Sequence, residues 1–145
     1  MTVATQGTVA GRLTASGRRL TAQRMLVANA LGRERRTVSA QELYEELRTE
    51  HPYLGRATVF RTLDFLVDNG LAQRFEGEGH TYVYTACDDS HHHHLVCRHC
   101  GTTTNIDDSA VNELIDTVLG RYRFSLDHDR LDFYGTCADC RKKGR

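Results

Sequence analysis

The chain has 145 residues, of which 39 % are hydrophobic and 26 % are charged, the ordinary balance of a globular protein. Nineteen basic residues match nineteen acidic ones, so the net charge is zero and does not indicate a nucleic-acid partner. No stretch approaches the roughly 20 apolar residues of a membrane span, and the N-terminus lacks the apolar core of a secretion signal, so we expect neither membrane insertion nor secretion.

Charge and metal-binding residue types are unevenly distributed along the chain. Residues 1–36 contain seven arginines and one glutamate, a local net charge of +6, whereas residues 87–140 are acidic. All five cysteines and six of the eight histidines lie in this acidic segment. The asymmetry predicts that one end of the chain meets an anion, and that the other binds metal rather than forming disulfides.

The first half of the chain predicts an arm, three helices and a β-hairpin. Residues 1–19 show little apolar periodicity, so we predict an arm with at most one marginal helix. Alternating side chains at 71–75 and 80–84, around a turn at 76–79, predict the hairpin. This order is that of a winged helix-turn-helix, so we assign a DNA-binding domain to residues 1–86. The predicted helix boundaries are Thr21 to Gly32, the Ser39–Glu42 capping box to His51–Pro52, and 57–69 closed by Gly70.

After residue 86 the composition changes, with cysteines, histidines and acidic residues becoming frequent, and we predict a separate domain over residues 87–145. Its predicted elements are a helix at 109–119 and strands at 94–97, 102–106 and 124–134. The fold class of the whole chain is therefore α+β, with a winged-helix domain followed by an α/β domain.

Two Cys-x-x-Cys turns, Cys97–Cys100 and Cys137–Cys140, lie 36 residues apart in this second domain. Two thiolates on one tight turn present both sulfurs to one ion, and two such turns complete a closed tetrahedral zinc site with a structural role. The alternatives are cysteines that simply pack, or two redox dithiols. Neither turn lies in the βαβ pattern of a redox motif.

A tract of four histidines precedes the first of these turns. In an extended strand His92 and His94 face one way while His91 and His93 face the other, so one tract can serve two sites. Together with Cys87 and one further nitrogen or oxygen ligand, a histidine pair forms a site suited to zinc-like metals. A solvated histidine loop beside a buried cysteine is the alternative.

Residues 55–63 lie where a winged helix-turn-helix carries its recognition helix, whose first residues enter the major groove. Arginines there reach bases or phosphates, and small or methyl-bearing side chains contact thymine methyl groups. A solvated helix surface is the alternative for the arginines, and the spacing of Phe60 also suits a core position. The candidate DNA contacts, with one phosphate contact at the start of the first helix, are Arg24, Arg56, Ala57, Thr58, Phe60 and Arg61.

Taken together, five segments resemble the ferric uptake regulator (Fur) family of metal-responsive repressors, and its zinc uptake regulator (Zur) branch somewhat more than the others. The resemblance implies a winged-helix domain, a hinge and an α/β domain that forms a homodimer. It also implies a cytoplasmic protein that binds a palindromic double-stranded DNA operator, with no membrane and no small-molecule substrate. The matching segments are 20–24 (LTAQR), 39–44 (SAQELY), 57–63 (ATVFRTL), 91–101 (HHHHLVCRHCG) and 134–140 (YGTCADC).

In this family a structural zinc holds the dimerisation domain, and a second, exchangeable ion near the hinge prepares the DNA-binding domains for the operator. The resemblance assigns the exchangeable ion, expected to be zinc, to Cys87, His92 and His94. It assigns a third, peripheral site partly to His91 and His93. The structural zinc falls to Cys97, Cys100, Cys137 and Cys140.

The sequence departs from the family pattern at some ligand positions. The fourth regulatory ligand falls on Gln73, a poor ligand, with Glu76 and His80 as alternatives. Two ligand positions of iron-type sensors hold Thr37 and Thr85, which argues against an iron-type site. At the third site, the family's glutamate and histidine positions fall on Asn112 and Asp129, next to Glu113 and His128.

We therefore predict a zinc-dependent repressor of metal-uptake or homeostasis genes, and not an enzyme. Within the same class, an iron-, manganese-, nickel- or peroxide-responsive regulator is the alternative. A constitutive winged-helix module with structural zinc alone is a second alternative, which Gln73 keeps open. A zinc enzyme that uses Asp88 or Asp89 as a general base is a third, but the sequence lacks a catalytic signature such as HExxH.

Overall fold

The computed structural model describes residues 8–17, 19–87, 92–126 and 131–145. The chain forms two compact units, Met1–Asp89 and Ser90–Arg145, so the boundary lies three residues beyond the one expected from the sequence. None of the helices in the described part of the chain is long and apolar enough to cross a membrane.

The first unit has the predicted winged helix-turn-helix architecture. Its elements are α1 (Val9–Ala15), α2 (Ala22–Arg33), β1 (Val38–Ser39), α3 (Ala40–Glu50), α4 (Arg56–Asp68), β2 (Ala72–Glu76) and β3 (Tyr82–Ala86). The helices enclose one apolar core to which α2, α3 and α4 contribute fully buried side chains such as Leu31, Leu43 and Leu63. The antiparallel sheet has the order β1-β3-β2, in which β2 and β3 form the wing and the two-residue β1 was not predicted.

The helix boundaries follow mostly the predicted signals. The Thr21 hydroxyl accepts a hydrogen bond from the Arg24 N–H at 3.2 Å and caps α2, and Ser39 and Glu42 form the capping box of α3. Gly70, with φ at +68°, reverses the chain between α4 and β2.

The N-terminal segment contains the one short helix that the prediction allowed, but this helix packs on the core instead of lying in an arm, and α2 does not stop at Gly32 as predicted. α1 buries Val9, Ala10 and Leu13, a stripe too short to give a periodic signal in the sequence. Gly32 does not have the positive φ of a helix-ending glycine, so α2 continues to Arg33. A Cβ atom on Gly32 would lie 3.9 Å from Val9, which shows that α1 packs at this point of α2.

Leu13→Ala is expected to lower the free energy of unfolding of the first unit by about 2–5 kcal/mol, because it removes a fully buried leucine from the core. Thr14→Ala is the matched control. Thr14 is exposed and its hydroxyl donates to the Ala10 carbonyl within α1, so we expect a change within about 0.5 kcal/mol. Urea unfolding followed by circular dichroism measures both. Similar small effects would show that α1 does not stabilise this unit.

The second unit is built on a three-stranded sheet. Its elements are β4 (His93–Cys97), β5 (Thr103–Ile106), α5 (Asn112–Tyr122), β6 (Asp132–Gly135) and α6 (Ala138–Lys142). The strand order is β5-β4-β6, with β4 antiparallel to β5 and parallel to β6. Two consecutive side chains of β4 that point to opposite faces, His93 and His94, are both buried, whereas Leu95 on the same strand is 45 % exposed.

Two predicted elements of this unit need correction, and one helix was missed. The strand predicted over 124–134 is a strand only from Asp132, since 124–126 are irregular and 127–130 lie outside the described residues. The helix predicted over 109–119 begins at Asn112, after a single 3-10 turn at Asp108–Ala110, and continues to Tyr122. It ends there because Arg123 adopts the left-handed conformation, φ +51°. The short helix α6 was not predicted.

Candidate metal centre and DNA-binding surface

The sheet of the second unit brings the two cysteine turns to one end. β4 ends at Cys97 and pairs in parallel with β6, so that Cys97 lies opposite Gly135. Both strands therefore run into their cysteine turns at the same edge, which closes the gap of 36 residues. The Arg98 N–H donates to the Gly135 carbonyl at 2.9 Å and holds the first turn against the second strand.

The four cysteine sulfurs have the spacing of a zinc site. The Sγ atoms of Cys97, Cys100, Cys137 and Cys140 lie within 4.8 Å of one another. Those of Cys100 and Cys137 are 3.7 Å apart, close to the roughly 3.8 Å that tetrahedral geometry with Zn–S bonds of about 2.3 Å requires. The donors and their spacing fit zinc, and four protein sulfurs leave no position for a substrate. The cluster can therefore hold a structural zinc ion.

The surroundings of the sulfurs act on their pKa values in opposite directions. The Cys137 N–H donates to Cys97 Sγ at 3.4 Å and, as the main cause, lowers the pKa of Cys97 to about 6. A hydrogen bond with the Thr102 hydroxyl lowers the pKa of Cys100, whereas burial raises the pKa of Cys140 to about 12. Since zinc binds thiolates, an ion must displace the proton of Cys140, and zinc affinity falls as the pH falls.

His94, a predicted regulatory ligand, is oriented by a carboxylate. Its Nδ1 lies 3.2 Å from Asp132 Oδ1, and the ring is 1 % exposed. Because an ionised carboxylate only accepts, Nδ1 carries the proton and Nε2 has the lone pair that a metal needs. The His92 ring meets the His94 ring edge-on, with centroids 4.7 Å apart. The two rings therefore lie together within the second unit.

His93, a candidate for the third site, has a different environment. Its Nδ1 accepts from the Leu131 N–H at 3.0 Å, which places the ring proton on Nε2, 3.4 Å from Asp108 Oδ1. In this tautomer neither nitrogen offers a lone pair to a metal unless the bond to Leu131 breaks. The third site stays a prediction, because its other residues are the exposed Glu113 and three that lie outside the described part of the chain, His91, His128 and Asp129.

Cys87 follows β3 in the first unit, next to one of the three candidate fourth ligands. Its Sγ lies 3.7 Å from Gln73 Oε1, and Gln73 is buried. Glu76 lies three residues further along β2, about 10 Å away at a strand's usual rise, and pairs with His80 Nδ1 at 2.8 Å on the exposed tip of the wing. Within this unit, only Gln73 of the three is therefore placed to share a ligand sphere with Cys87.

The first turns of α4 present the predicted DNA-contact residues on its outer face. Val59, Thr62, Leu63 and Leu66 are buried on the inner face. Gly55, which is exposed, caps the helix without a side-chain hydrogen bond, and the positive end of the helix dipole at this point suits a phosphate. Among the predicted contacts, Thr58 is half-buried and the exposed ones are Arg56, Ala57, Phe60 and Arg61.

Two predicted DNA contacts are stacked on aromatic rings. The Arg56 guanidinium lies 5.3 Å from the Phe60 ring centroid, and Phe60 is 36 % exposed, so it does not occupy the core position that its spacing also allowed. The Arg24 guanidinium lies 4.4 Å from the Phe65 ring and donates to the Arg19 carbonyl at 2.9 Å. Arg24 is therefore held against the end of α4, with its role as a phosphate contact still a prediction.

A polar connection between α4 and the wing was missed from the sequence. Asp64 Oδ1 lies 3.4 Å from both Arg74 Nη1 and the Tyr84 hydroxyl, and the Arg74 guanidinium stacks 4.5 Å from the Tyr82 ring. These contacts fix the wing relative to the recognition helix. Their partners are 10 and 20 residues apart, and no local pattern in the sequence signals such pairs.

The similarity to known proteins covers most of the chain. The model of the ferric uptake regulator family matches residues 15–134. The zinc uptake regulation protein of Mycobacterium tuberculosis is 37 % identical over 129 residues, which cover 89 % of this chain and 99 % of that protein. The ferric uptake regulation protein of Vibrio anguillarum is 32 % identical, with coverage of 86 % and 84 %.

Solved structures show the same fold. The structure of a zinc uptake regulator complexed with zinc and DNA is 26 % identical to this chain, with a TM-score of 0.67 and coverage of 93 % of this chain and 92 % of that one.

Proposed function

Because the chain belongs to the ferric uptake regulator family, we propose that it is a cytoplasmic transcription repressor that binds operator DNA when it holds a regulatory zinc ion. The observation that carries this proposal is the division of the metal ligands. Four cysteines can form a closed site, and the chain has further sulfur and imidazole donors outside it, Cys87, His92 and His94, which we propose as the regulatory ligands. We propose no catalytic activity, since the closed site has no position for a substrate.

Zinc is the regulatory metal that this second set fits best. Thiolate and imidazole ligands suit zinc, whereas magnesium, calcium and manganese prefer oxygen ligands. The His94 ring is held by Asp132 in the orientation common to zinc-bound histidines. The positions that would supply iron-type ligands hold Thr37 and Thr85.

We further propose that the active form is a homodimer through the second unit. None of the residues of α5 is buried, although Leu114, Val118 and Tyr122 form an apolar stripe along it, with exposures of 51, 45 and 71 %. Of its apolar residues only Ile115 and Leu119 are half-buried, and an eleven-residue helix with so little tertiary packing is marginal in water. A second copy of the chain would cover this stripe, and a two-fold dimer matches a palindromic operator.

In this proposal, a regulatory ion changes the affinity for DNA because its ligands come from different parts of the chain. Cys87 belongs to the first unit and His92 and His94 to the second, so an ion that takes all three restricts the arrangements of the two units. The ion can favour the DNA-binding arrangement only by its difference in affinity between arrangements, which is typically about 1–3 kcal/mol, or about 5- to 150-fold in DNA affinity.

Cys87→Ser is expected to remove the gain in DNA affinity that the second zinc equivalent produces, because the serine hydroxyl is a poor zinc ligand. The dimer and the four-cysteine zinc are expected to stay. The assay compares protein with one zinc per chain and with two, on a duplex selected from a random-sequence pool with the zinc-loaded wild type. Thr85→Ala, two residues away on β3, is the matched control.

An unchanged zinc response in Cys87→Ser would exclude Cys87 as a regulatory ligand. If the wild type binds the duplex equally well with one and with two zinc ions, the protein is a constitutive DNA-binding module instead. A larger gain with ferrous, manganous or nickel ions than with zinc would replace zinc as the sensed metal.

A further inference from the structure

The N-terminal helix reaches the proposed regulatory ligand through one arginine. Arg12, on α1, donates from Nη1 to the Cys87 carbonyl and from Nη2 to the Gly70 carbonyl at 3.3 Å. All three residues lie in the first unit, and 58 and 75 residues separate Arg12 from its two acceptors. Three distant parts of the chain, α1, the end of α4 and the end of β3, therefore meet at one guanidinium.

This junction holds the backbone of Cys87 from both sides. The Cys87 N–H donates to the Leu71 carbonyl at 3.1 Å, and its carbonyl accepts from Arg12. Leu71 is itself buried and donates to the Leu66 carbonyl of α4 at 2.9 Å. A continuous set of hydrogen bonds thus leads from the metal-ligand backbone into the last turn of the recognition helix.

The position of Arg12 also suits the end of α4 electrostatically. The carbonyl end of a helix carries partial negative charge, and cations near it are stabilising. The last turn of α4 contains no basic residue of its own, so Arg12 supplies this charge from another helix. The buried Val9, Ala10 and Leu13 fix α1 against the core, which keeps the guanidinium in place.

We propose that Arg12 is a positioning residue that fixes Cys87 to the C-terminal end of α4 and so transmits metal occupancy to the DNA-binding surface. This inference rests on the proposed function, because it requires Cys87 to be a regulatory ligand. Arg12 does not bind the metal itself. Its fork-shaped guanidinium matters because one donor group must reach two carbonyls, a geometry that lysine does not reproduce.

Arg12→Gln and Arg12→Lys test the proposal in the DNA-binding assay described above, which compares protein with one zinc ion per chain and with two. For the wild type, the second zinc ion is expected to raise the affinity for the selected duplex about 5- to 150-fold. In Arg12→Gln this gain falls to about twofold or less, and in Arg12→Lys, which keeps the charge but bonds one carbonyl, it is intermediate. Arg33→Gln is the matched control: it removes an exposed arginine of the same basic segment and keeps the wild-type gain.

A second readout separates positioning from a loss of stability. The zinc affinity of the regulatory site is measured by competition with a chelating dye, with and without the duplex. Because linkage is reciprocal, the duplex raises zinc affinity by the same factor by which zinc raises DNA affinity. In Arg12→Gln we expect the duplex no longer to raise zinc affinity. The variant should still hold one zinc ion tightly per chain. With one zinc per chain, it should bind DNA with the same affinity as Arg33→Gln.

Each outcome decides the matter. If folded Arg12→Gln gains as much DNA affinity from the second zinc ion as the wild type, Arg12 is not a positioning residue. The proposed function survives this result as long as Cys87→Ser loses the gain. If Arg12→Gln does not fold, Arg12→Lys decides, and a gain equal to that of the wild type overturns the proposal. If the wild type itself shows no gain, the proposed function fails and this inference fails with it.

Discussion

Cys137→Ser is expected to release the structural zinc ion and to unfold the second unit at 25 °C, while the first unit stays folded. Apart from this ion, few buried apolar residues stabilise the second unit. In its described part, the buried apolar residues are Val96, Cys97, Val111 and Cys140, and two of these four are themselves zinc ligands. The first unit has its own apolar core, which contains none of the four cysteines.

The size of the effect follows from what a structural zinc contributes. Zinc binding to small folds is worth about 10–16 kcal/mol at neutral pH, as much as or more than the roughly 5–15 kcal/mol that stabilises a whole domain. With one sulfur lost, Cys140 also loses the ion that displaces its proton, and burial again favours its neutral thiol. The remaining core of the unit is not large enough to compensate.

Hydrogen exchange read out by mass spectrometry, together with the zinc content, measures this outcome for each unit separately. Peptides from β4, β5 and β6 are expected to lose protection, whereas peptides from α2 and α4 keep it. Cys87→Ser is the control, since it removes a cysteine outside the cluster and keeps one zinc per chain. Retention of zinc and of sheet protection in Cys137→Ser would show that the four cysteines do not form the structural site.

The ligands of this site were predictable from the sequence, but not the means by which they meet. Two thiolates on a tight turn indicate a metal regardless of the fold around them. The gap between the two turns is closed by the parallel pairing of β4 with β6, and no local signal specifies which strands pair. The same reasoning explains why the strand predicted before Cys137 was too long.

The connections between elements were the least predictable part of the candidate site. The recognition helix and the wing are evident from helix period, caps and alternation, which are local properties. The bonds of Asp64 to the wing and of Arg12 to Cys87 join residues that only the folded core brings together. α1 itself was underestimated because a helix that contributes only Val9, Ala10 and Leu13 to the core has too few apolar positions to show a period.

The proposed function depends on two kinds of residue, and only one kind can be recognised from local sequence patterns. Residues predicted to contact metal or DNA, such as Cys97 or Arg61, can be recognised in the sequence by their type and spacing. Residues that relate one site to the other, such as Arg12, look like any surface arginine in the sequence. A regulator needs both, because a bound ion changes DNA affinity only if something fixes its ligands to the recognition helix.

Aspartates on the apolar stripe of α5 are expected to have the second large effect. The double variant Leu114→Asp/Val118→Asp places two carboxylates at positions that are half-exposed in the single chain and that we propose a second copy covers. Burying an ionised carboxylate without a partner costs several kcal/mol, and at a two-fold interface each substitution counts twice. A cost of only about 4 kcal/mol in total raises the dimer dissociation constant about 1000-fold.

Sedimentation equilibrium over a range of concentrations measures the dimer, and binding to the selected duplex measures its consequence. The variant is expected to be a monomer at micromolar concentration and to lose most of its affinity for a duplex with two half-sites, while retaining its four-cysteine zinc. Asp116→Lys is the control, because residue 116 lies about 200° around the helix from both substituted positions. If the double variant still dimerises like the wild type, the stripe is not the interface, and another surface of the chain must form the dimer.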